Sequence, residues 1–463
     1  MKVEQLYTNC LAEAAYYVES NGEAAIIDPI RETEPYLEKL KLTGAKLKYV
    51  FETHFHADFV SGHIDLAKKT GAKIIFGPLA ETNYEAQNGK DGEIFSVGKI
   101  KIKVLHTPGH TPESSCYLLF DENGKEYCVF TGDTLFIGDV GRPDLLDGKM
   151  TSAELASMMY DSLNNKIKTL PDDVIVYPAH GAGSACGKNI SKETSSTIGN
   201  QKKFNYALQE MSREQFIKVV TDGLSAPPQY FFKDAMINKN GYDNIDEVMS
   251  RNMKPLSPED VKKEITNGAL ILDTRTPDSF EKGFIKGSMQ IGLNGTYAVW
   301  IGTLIDINLP LVIVSEEGKE HESILRAARV GYENVKGYLK GGMNAWIAAG
   351  NPIDTIHSIT PEDFAARIKS GKGSILDVRR PGEFDSSHVK NAEHLELAAL
   401  PKNLNSLSKN KTYLIYCASG NRSVTAASIL KAKGFENVMN VYGGINQIKN
   451  TDCPLELPAE TSA

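Results

Sequence analysis

The chain has 463 residues, of which 41% are hydrophobic and 24% charged, with a formal net charge of -8. That length exceeds one ordinary hydrophobic core and calls for roughly two to four domains, and no apolar run reaches membrane-spanning length. The 51 Lys and Arg residues are scattered rather than gathered into a stripe, which argues against nucleic acid as a partner. The start, "MKVEQLYTNC", shows neither a basic nor an apolar signal region, so a cytoplasmic protein is expected. Six cysteines, at 10, 116, 128, 186, 417 and 453, are too dispersed for a disulfide framework. In a reducing compartment such thiols are buried or reactive.

Residues 1 to about 200 alternate β-rich runs with helical stretches. "EAAIIDP", "LKYVFETH", "KIIFG", "KIKVLHTPGH", "YCVFTGD" and "DVIVYPAH" each end in a polar or Gly/Pro turn, as strands do. Residues 200 to about 250 read as a helical extension with a proline-marked break at "SAPPQYF". The remainder is an internal duplication: "LDTRTPDSFEKGFIKGSM" (272–289) matches "LDVRRPGEFDSSHVKNAE" (376–393), and "GYENV" (331–335) matches "GFENV" (434–438), each followed shortly by Gly-Gly. Each copy opens on a helix-start signal, "LSPEDV" or "ITPEDF", with Ser or Thr as N-cap and Pro at the first helical position. Each is expected to be a small α/β domain.

Four of the strand ends carry histidine or aspartate. "ETHFHADFVSGH" holds His54, His56 and Asp58 in an H-x-H-x-D pattern, "TPGHT" holds His110, "FTGDT" holds Asp133 and "YPAHG" holds His180. Such residues at successive strand ends, each beside a tight turn, point jointly to a metal site. His63, just past Gly62, and His106, inside an apolar strand, read as structural.

This part of the chain resembles the metallo-β-lactamase superfamily, many members of which follow the aspartate with a histidine for a second metal; here that position is Phe59. Residues 1–245 resemble the persulfide dioxygenase, ETHE-type branch. The resemblance implies one Fe(II) per chain held by His54, His110 and Asp133, with open faces for water, a thiolate and O2, the logic of a two-histidine, one-carboxylate iron site. It implies that His56, Asp58 and His180 orient those ligands or meet solvent. "GDVGRPD" (138–144) resembles the family turn that faces the substrate: Arg142 either forks onto a carboxylate of a thiol cofactor or pairs with Asp144. Tyr177 is either part of the active-site shell or a core tyrosine. Cys186, six residues after His180, either handles a sulfane sulfur or is packed.

In the second duplicated unit, "LIYCASGNRS" (414–423) ends a buried strand in Cys417 and follows it, five residues on, with Arg422. A tight loop there turns backbone N–H groups onto the sulfur and stabilises a thiolate or persulfide. A phosphatase cradle would space Cys and Arg more widely. The loop resembles that of the rhodanese family. The resemblance makes Cys417 the persulfide-forming nucleophile and Arg422 its stabiliser. Ser419, Gly420, Asn421 and Ser423 become substrate-binding candidates, and Asp377 and Arg379 structural. The first copy has "LVIVSEEGKEHES" (311–323) instead: Ser315 replaces the cysteine, the loop is read as one residue shorter, and Glu316, Glu317 and Glu320 crowd it. It is read as inactive, kept as spacer, docking surface or oligomer contact.

The whole order resembles the CstB-type multidomain persulfide dioxygenase–sulfurtransferases. The expected fold is α/β throughout: a metallo-β-lactamase αββα sandwich (1–250), an inactive rhodanese-like domain (251–355) and an active one (356–463). The resemblance implies oxidation of a low-molecular-weight persulfide by O2 to sulfite, then sulfur transfer through Cys417 giving thiosulfate, in a homo-oligomer. The alternatives are a glyoxalase II-like metallo-hydrolase fused to a sulfur carrier, and a sulfur-binding scaffold without turnover.

Overall fold

The β-rich runs of the first 200 residues form two six-stranded sheets in the computed structural model, which describes residues 1–145, 150–224 and 227–457. The first sheet begins with the antiparallel strands Lys2–Thr8, Glu13–Ser20 and Glu23–Ile27. It continues in parallel through Lys46–Phe51 and Lys73–Phe76, with helices Glu34–Thr43 and His63–Thr70 as the crossovers. The second sheet is antiparallel through Ile94–Val97, Ile100–His106, Ser115–Phe120 and Glu126–Gly132, then parallel into Ile175–Pro178.

Period-two alternation decides what each strand buries. Cys128 and Phe130 point between the sheets, where they join Tyr16, Phe51 and Tyr117. Val129 points the other way, against Leu155-bearing helix Ser152–Ser162, whose Ala156 and Met159 cover it. That helix starts at a complete capping box, Thr151 with Glu154, which satisfies two otherwise orphaned N–H groups. Helices thus cover both outer faces, and the expected αββα sandwich is what forms. The helical extension is Ile198–Phe204, Arg213–Thr221, Phe231–Asn240 and Ile245–Asn252. Ser225 and Ala226 of the proline-marked break lie outside the described residues.

The duplication appears as two all-parallel five-stranded sheets of the same strand order. One runs Pro255–Leu256, Val335–Leu339, Leu311–Val314, Leu270–Asp273, Met289–Gln290; the other runs His357–Ile359, Val438–Val441, Tyr413–Tyr416, Ser374–Asp377, Glu393–His394. Both predicted helix starts form, with Ser257 capping Pro258–Thr266 and Thr360 capping Pro361–Lys369. The chain divides into two compact units. The first is Met1–Val248 with Ala327–Tyr332; the second, Met249–Arg326 with Glu333–Ala463, holds both copies together. Within the second unit, the Gln290 amide donates to Ser428 Oγ at 3.0 Å and Thr425 Oγ1 to Gln290 Oε1 at 3.1 Å. The first copy therefore rests on helix Asn421–Ala432, which follows the Cys417 loop. Among the described residues no helix is long and apolar enough to cross a membrane.

Candidate functional site

Four strand ends of the first unit bring their side chains to one place. His54 follows strand Lys46–Phe51, His110 follows Ile100–His106, Asp133 follows Glu126–Gly132 and His180 follows Ile175–Pro178. The close approach needs Gly132: its φ is +50°, and a Cβ there would stand 2.5 Å from Thr53 Oγ1. All four side chains are buried.

Three imidazoles present Nε2 to one carboxylate. His110 Nε2 lies 3.4 Å and His54 Nε2 4.0 Å from Asp133 Oδ2, and His180 Nε2 lies 3.5 Å from Oδ1. Their other nitrogens are engaged. Thr53 Oγ1 donates to Asp28 Oδ2 at 2.9 Å, so it accepts from His54 Nδ1, also 2.9 Å away. His110 Nδ1 donates to the Arg142 carbonyl at 2.8 Å, and His180 Nδ1 to the Ala12 carbonyl at 3.2 Å. Each hydrogen bond fixes the tautomer that leaves a lone pair on Nε2. Burial, with the rings of His56, His110 and His180 next, drives His54 well below its ordinary pKa, which keeps it neutral as a ligand must be. Both oxygens of Asp133 are buried without a hydrogen-bond partner. A buried, unpaired carboxylate is costly, and a cation among His54, His110 and Asp133 removes that cost. Their ligand atoms lie within 4.8 Å of one another, so the residues fit a metal ion.

His56 stands in a second group of possible metal donors, with Asp58 and His180. Its Nε2 lies 3.1 Å from Asp28 Oδ1 and 3.5 Å from Glu52 Oε2. Burial opposes its charge, but Asp28, Glu52 and Asp58 outweigh that and raise its pKa to about 10. An imidazolium has no lone pair to give. Phe59, fully buried, lays its ring 4.4 Å from the His56 ring, so the position that seats a second metal elsewhere in the superfamily is filled by packing. Asp58 and His180 nevertheless face each other at 3.4 Å. His180, expected to orient ligands or meet solvent, has Nε2 3.5 Å from Asp133 Oδ1 and stands in two groups of possible metal donors, one with Asp133 and Cys186 and one with His56 and Asp58.

The remaining expectations divide. Arg142 is buried and grips Asp144 through Nε and Nη2 at 2.6 and 2.8 Å, while its backbone N–H donates to the Cys186 carbonyl. The Arg142–Asp144 pair is thus present. Cys186 is buried, and burial with Asp58 and Asp133 pushes its thiol well up. Tyr177 belongs with the core: its ring packs on Tyr16 and Phe130 between the sheets. His63 sits between Glu52 Oε1 and the Tyr84 hydroxyl, and His106 bonds the Pro112 carbonyl; both are structural. Asp28, Thr53, Glu52 and Glu13 were missed. Glu13 is wholly buried with neither oxygen hydrogen-bonded, and burial raises its pKa well above the usual range. Asp28 alone had a signal, an aspartate beside proline at a strand end.

The second unit holds the other site. Cys417 is buried at the end of strand Tyr413–Tyr416. The Gly420 N–H donates to its Sγ at 3.2 Å, and Ser423 Oγ lies 3.5 Å away. Asn421 begins the helix that follows, and Ser419 is exposed on the bend before it. Arg422 forks onto Glu383 with two 2.7 Å contacts. Asp377 and Arg379 form a buried bidentate pair, repeated in the first copy by Asp273 and Arg275. Ser315 follows the strand that matches Cys417's. The first copy's loop is not shorter up to its glycine: Gly318 and Gly420 both stand three residues past that position with positive φ, 80° and 103°. The missing residue falls later, between Gly318 and Gly331.

Residues 8–180 match the metallo-beta-lactamase superfamily, and residues 257–349 and 360–451 each match the rhodanese-like domain. The chain is 32% identical over 213 residues to the mitochondrial persulfide dioxygenase ETHE1 of Homo sapiens, covering 45% of this chain and 76% of that one. It is 35% identical over 185 residues to a probable hydroxyacylglutathione hydrolase of Schizosaccharomyces pombe, covering 39% and 68%. A metallo-beta-lactamase structure from Staphylococcus aureus superposes with a TM-score of 0.65 at 31% identity, covering 73% of this chain and 98% of that one. The chain belongs to the metallo-β-lactamase superfamily. Within it, the arrangement is an ETHE1-type domain continued by two rhodanese-like domains.

Proposed function

We propose that the first domain is a mononuclear iron persulfide dioxygenase and the last a sulfurtransferase that converts its product to thiosulfate. The observation that carries the first part is the convergence of His54 and His110 on the Asp133 carboxylate, whose oxygens have no hydrogen-bond partner, with Phe59 packed where a second metal would need a donor. Iron held by His54, His110 and Asp133 would supply a centre at which a persulfide anion and O2 meet. The chain's own residues prepare it: Asp28 through Thr53 orients His54, and the Arg142 carbonyl holds the proton on His110 Nδ1. In the overall step a persulfide, O2 and water give the free thiol and sulfite. A second persulfide passes its terminal sulfur to the Cys417 thiolate and leaves as thiol. Sulfite then takes that sulfur, giving thiosulfate and restoring Cys417. The Gly420 N–H and Ser423 hydroxyl stabilise the anionic sulfur. The first rhodanese copy, with Ser315 at the nucleophile position, acts as a non-catalytic support for helix Asn421–Ala432.

A second reading has one observation in its favour: His180 Nε2 lies 3.4 Å from Asp58 and 3.5 Å from Asp133, so donors for a second metal are present. The deciding experiment adds glutathione persulfide to iron-loaded protein and measures O2 uptake, sulfite and thiosulfate together. Uptake with thiosulfate supports the proposal. No O2 uptake with several thiol persulfides, together with hydrolysis of a glutathione thioester supplied in a parallel assay, replaces it with the hydrolase.

A further inference from the structure

We infer that Glu383 is a positioning residue for sulfur transfer at Cys417, acting through Arg422; the inference rests on the sulfurtransferase reading above. Glu383 sits on the short helix Pro381–Ser386, in the other half of the domain's sequence from the cysteine loop. It takes Arg422 in a two-pronged grip, Oε2 to Nη1 and Oε1 to Nη2, both 2.7 Å. The pair is partly shielded, with the arginine side chain 20% exposed. An arginine side chain left alone samples many rotamers. A bidentate carboxylate removes that freedom and fixes the guanidinium plane, while Nε and the outer N–H groups stay available to an anionic sulfur species.

The duplication serves as an internal control. The Asp377–Arg379 pair stands six and four residues before Glu383, and its twin Asp273–Arg275 survives in the first copy with the same geometry; even the carbonyl that receives the second guanidinium nitrogen is matched, Ser387 and Gly283. That pair therefore goes with the fold. Counting from the same aspartate, the place of Glu383 is taken by Ser279; counting from the strand end and the shared left-handed glycine, the place of Arg422 is taken by Glu320. Both partners of the second ion pair are gone from the copy that has Ser315 for Cys417. A contact retained with the nucleophile and lost with it belongs to the reaction rather than to the sheet. The exchange is also chemically coherent: an acid at the Arg422 position beside another acid at the Glu383 position would repel both its neighbour and any anionic sulfur.

The test uses the full chain without O2, supplying glutathione persulfide and sulfite and measuring thiosulfate, with Cys417→Ser as the blank. Glu383→Ala is expected to lower kcat/KM for sulfite about tenfold, as expected for a misplaced charge, chiefly by raising KM. Glu383→Gln, which keeps the shape and one hydrogen bond, should fall between. The decisive readout is the cycle with Arg422→Ala. If Glu383 works through Arg422, the double variant is no slower than Arg422→Ala alone. Normal kcat/KM in both Glu383 variants overturns the inference, as does a double variant whose loss is the product of the two single losses. Should Glu383→Ala fail to fold by its melting curve, Glu383→Gln and its double variant carry the same cycle. Wild-type protein showing no Cys417-dependent transfer would instead overturn the sulfurtransferase reading, and the inference with it.

Discussion

Thr53 shows how little of the metal site is its ligands. Its hydroxyl accepts from His54 and donates to Asp28, so one small side chain sets a tautomer. Thr53→Val keeps the shape and removes that relay; it is expected to weaken metal binding roughly 10- to 100-fold, measured by competition with a chelator. Asp133→Asn removes the one carboxylate of the set and should cut both retained iron and O2 uptake by more than about 100-fold; normal metal content in that variant would refute the ligand assignment. The candidate ligands were legible because His110 and Asp133 each stand beside a glycine turn at a strand end and His54 opens an H-x-H-x-D pattern. Thr53 and Glu13 were not, since a threonine before a histidine and a glutamate opening a strand carry no pattern of their own. Tyr177 was ambiguous until strand parity resolved it. Ile175 and Tyr177 share the face between the sheets, and Val176 takes the other.

At the scale of elements, the Gly-Gly pair that closes each copy has a mechanical role. Gly444 has φ +57°, and a Cβ there would lie 2.3 Å from the Cys417 carbonyl oxygen. The Ile445 N–H donates to that same oxygen at 2.8 Å, so the turn buttresses the nucleophile loop from behind. Gly444→Ala is expected to destabilise the fold by about 1–3 kcal/mol and to reduce sulfur transfer, read by denaturant titration and the thiosulfate assay. Cys417→Ser, whose hydroxyl fits the same loop, should leave O2 uptake intact and shift product from thiosulfate to sulfite; an unchanged thiosulfate yield at limiting persulfide removes Cys417 from the route. Strand and helix starts were readable here from alternation and N-caps. The register of the first copy's loop was not, because a one-residue deletion can be placed anywhere in a sequence until the left-handed glycine pins it.

Across the whole molecule, duplication and domain order could be read directly, since repeats and motifs survive in the letters. That the two copies share one compact unit could not, because Gln290, Thr425 and Ser428 are ordinary polar residues until they meet. If both activities reside in one chain, transfer gains from the high effective concentration of linked sites. A mixture of Asp133→Asn and Cys417→Ser chains should then release more free sulfite than wild type, increasingly so on dilution, as followed by the sulfite-to-thiosulfate ratio. The placement of the ligands has another consequence. His54 hangs from the first sheet, whereas His110 and Asp133 hang from the second, so an ion held by all three rivets the two halves of the sandwich. Metal occupancy is then linked to cooperative unfolding: a free concentration 100 times Kd adds about 2.7 kcal/mol. Calorimetry should show chelation lowering the melting of the sandwich while leaving the duplicated domains' transition in place, which makes heat capacity a direct gauge of how much of the protein is loaded.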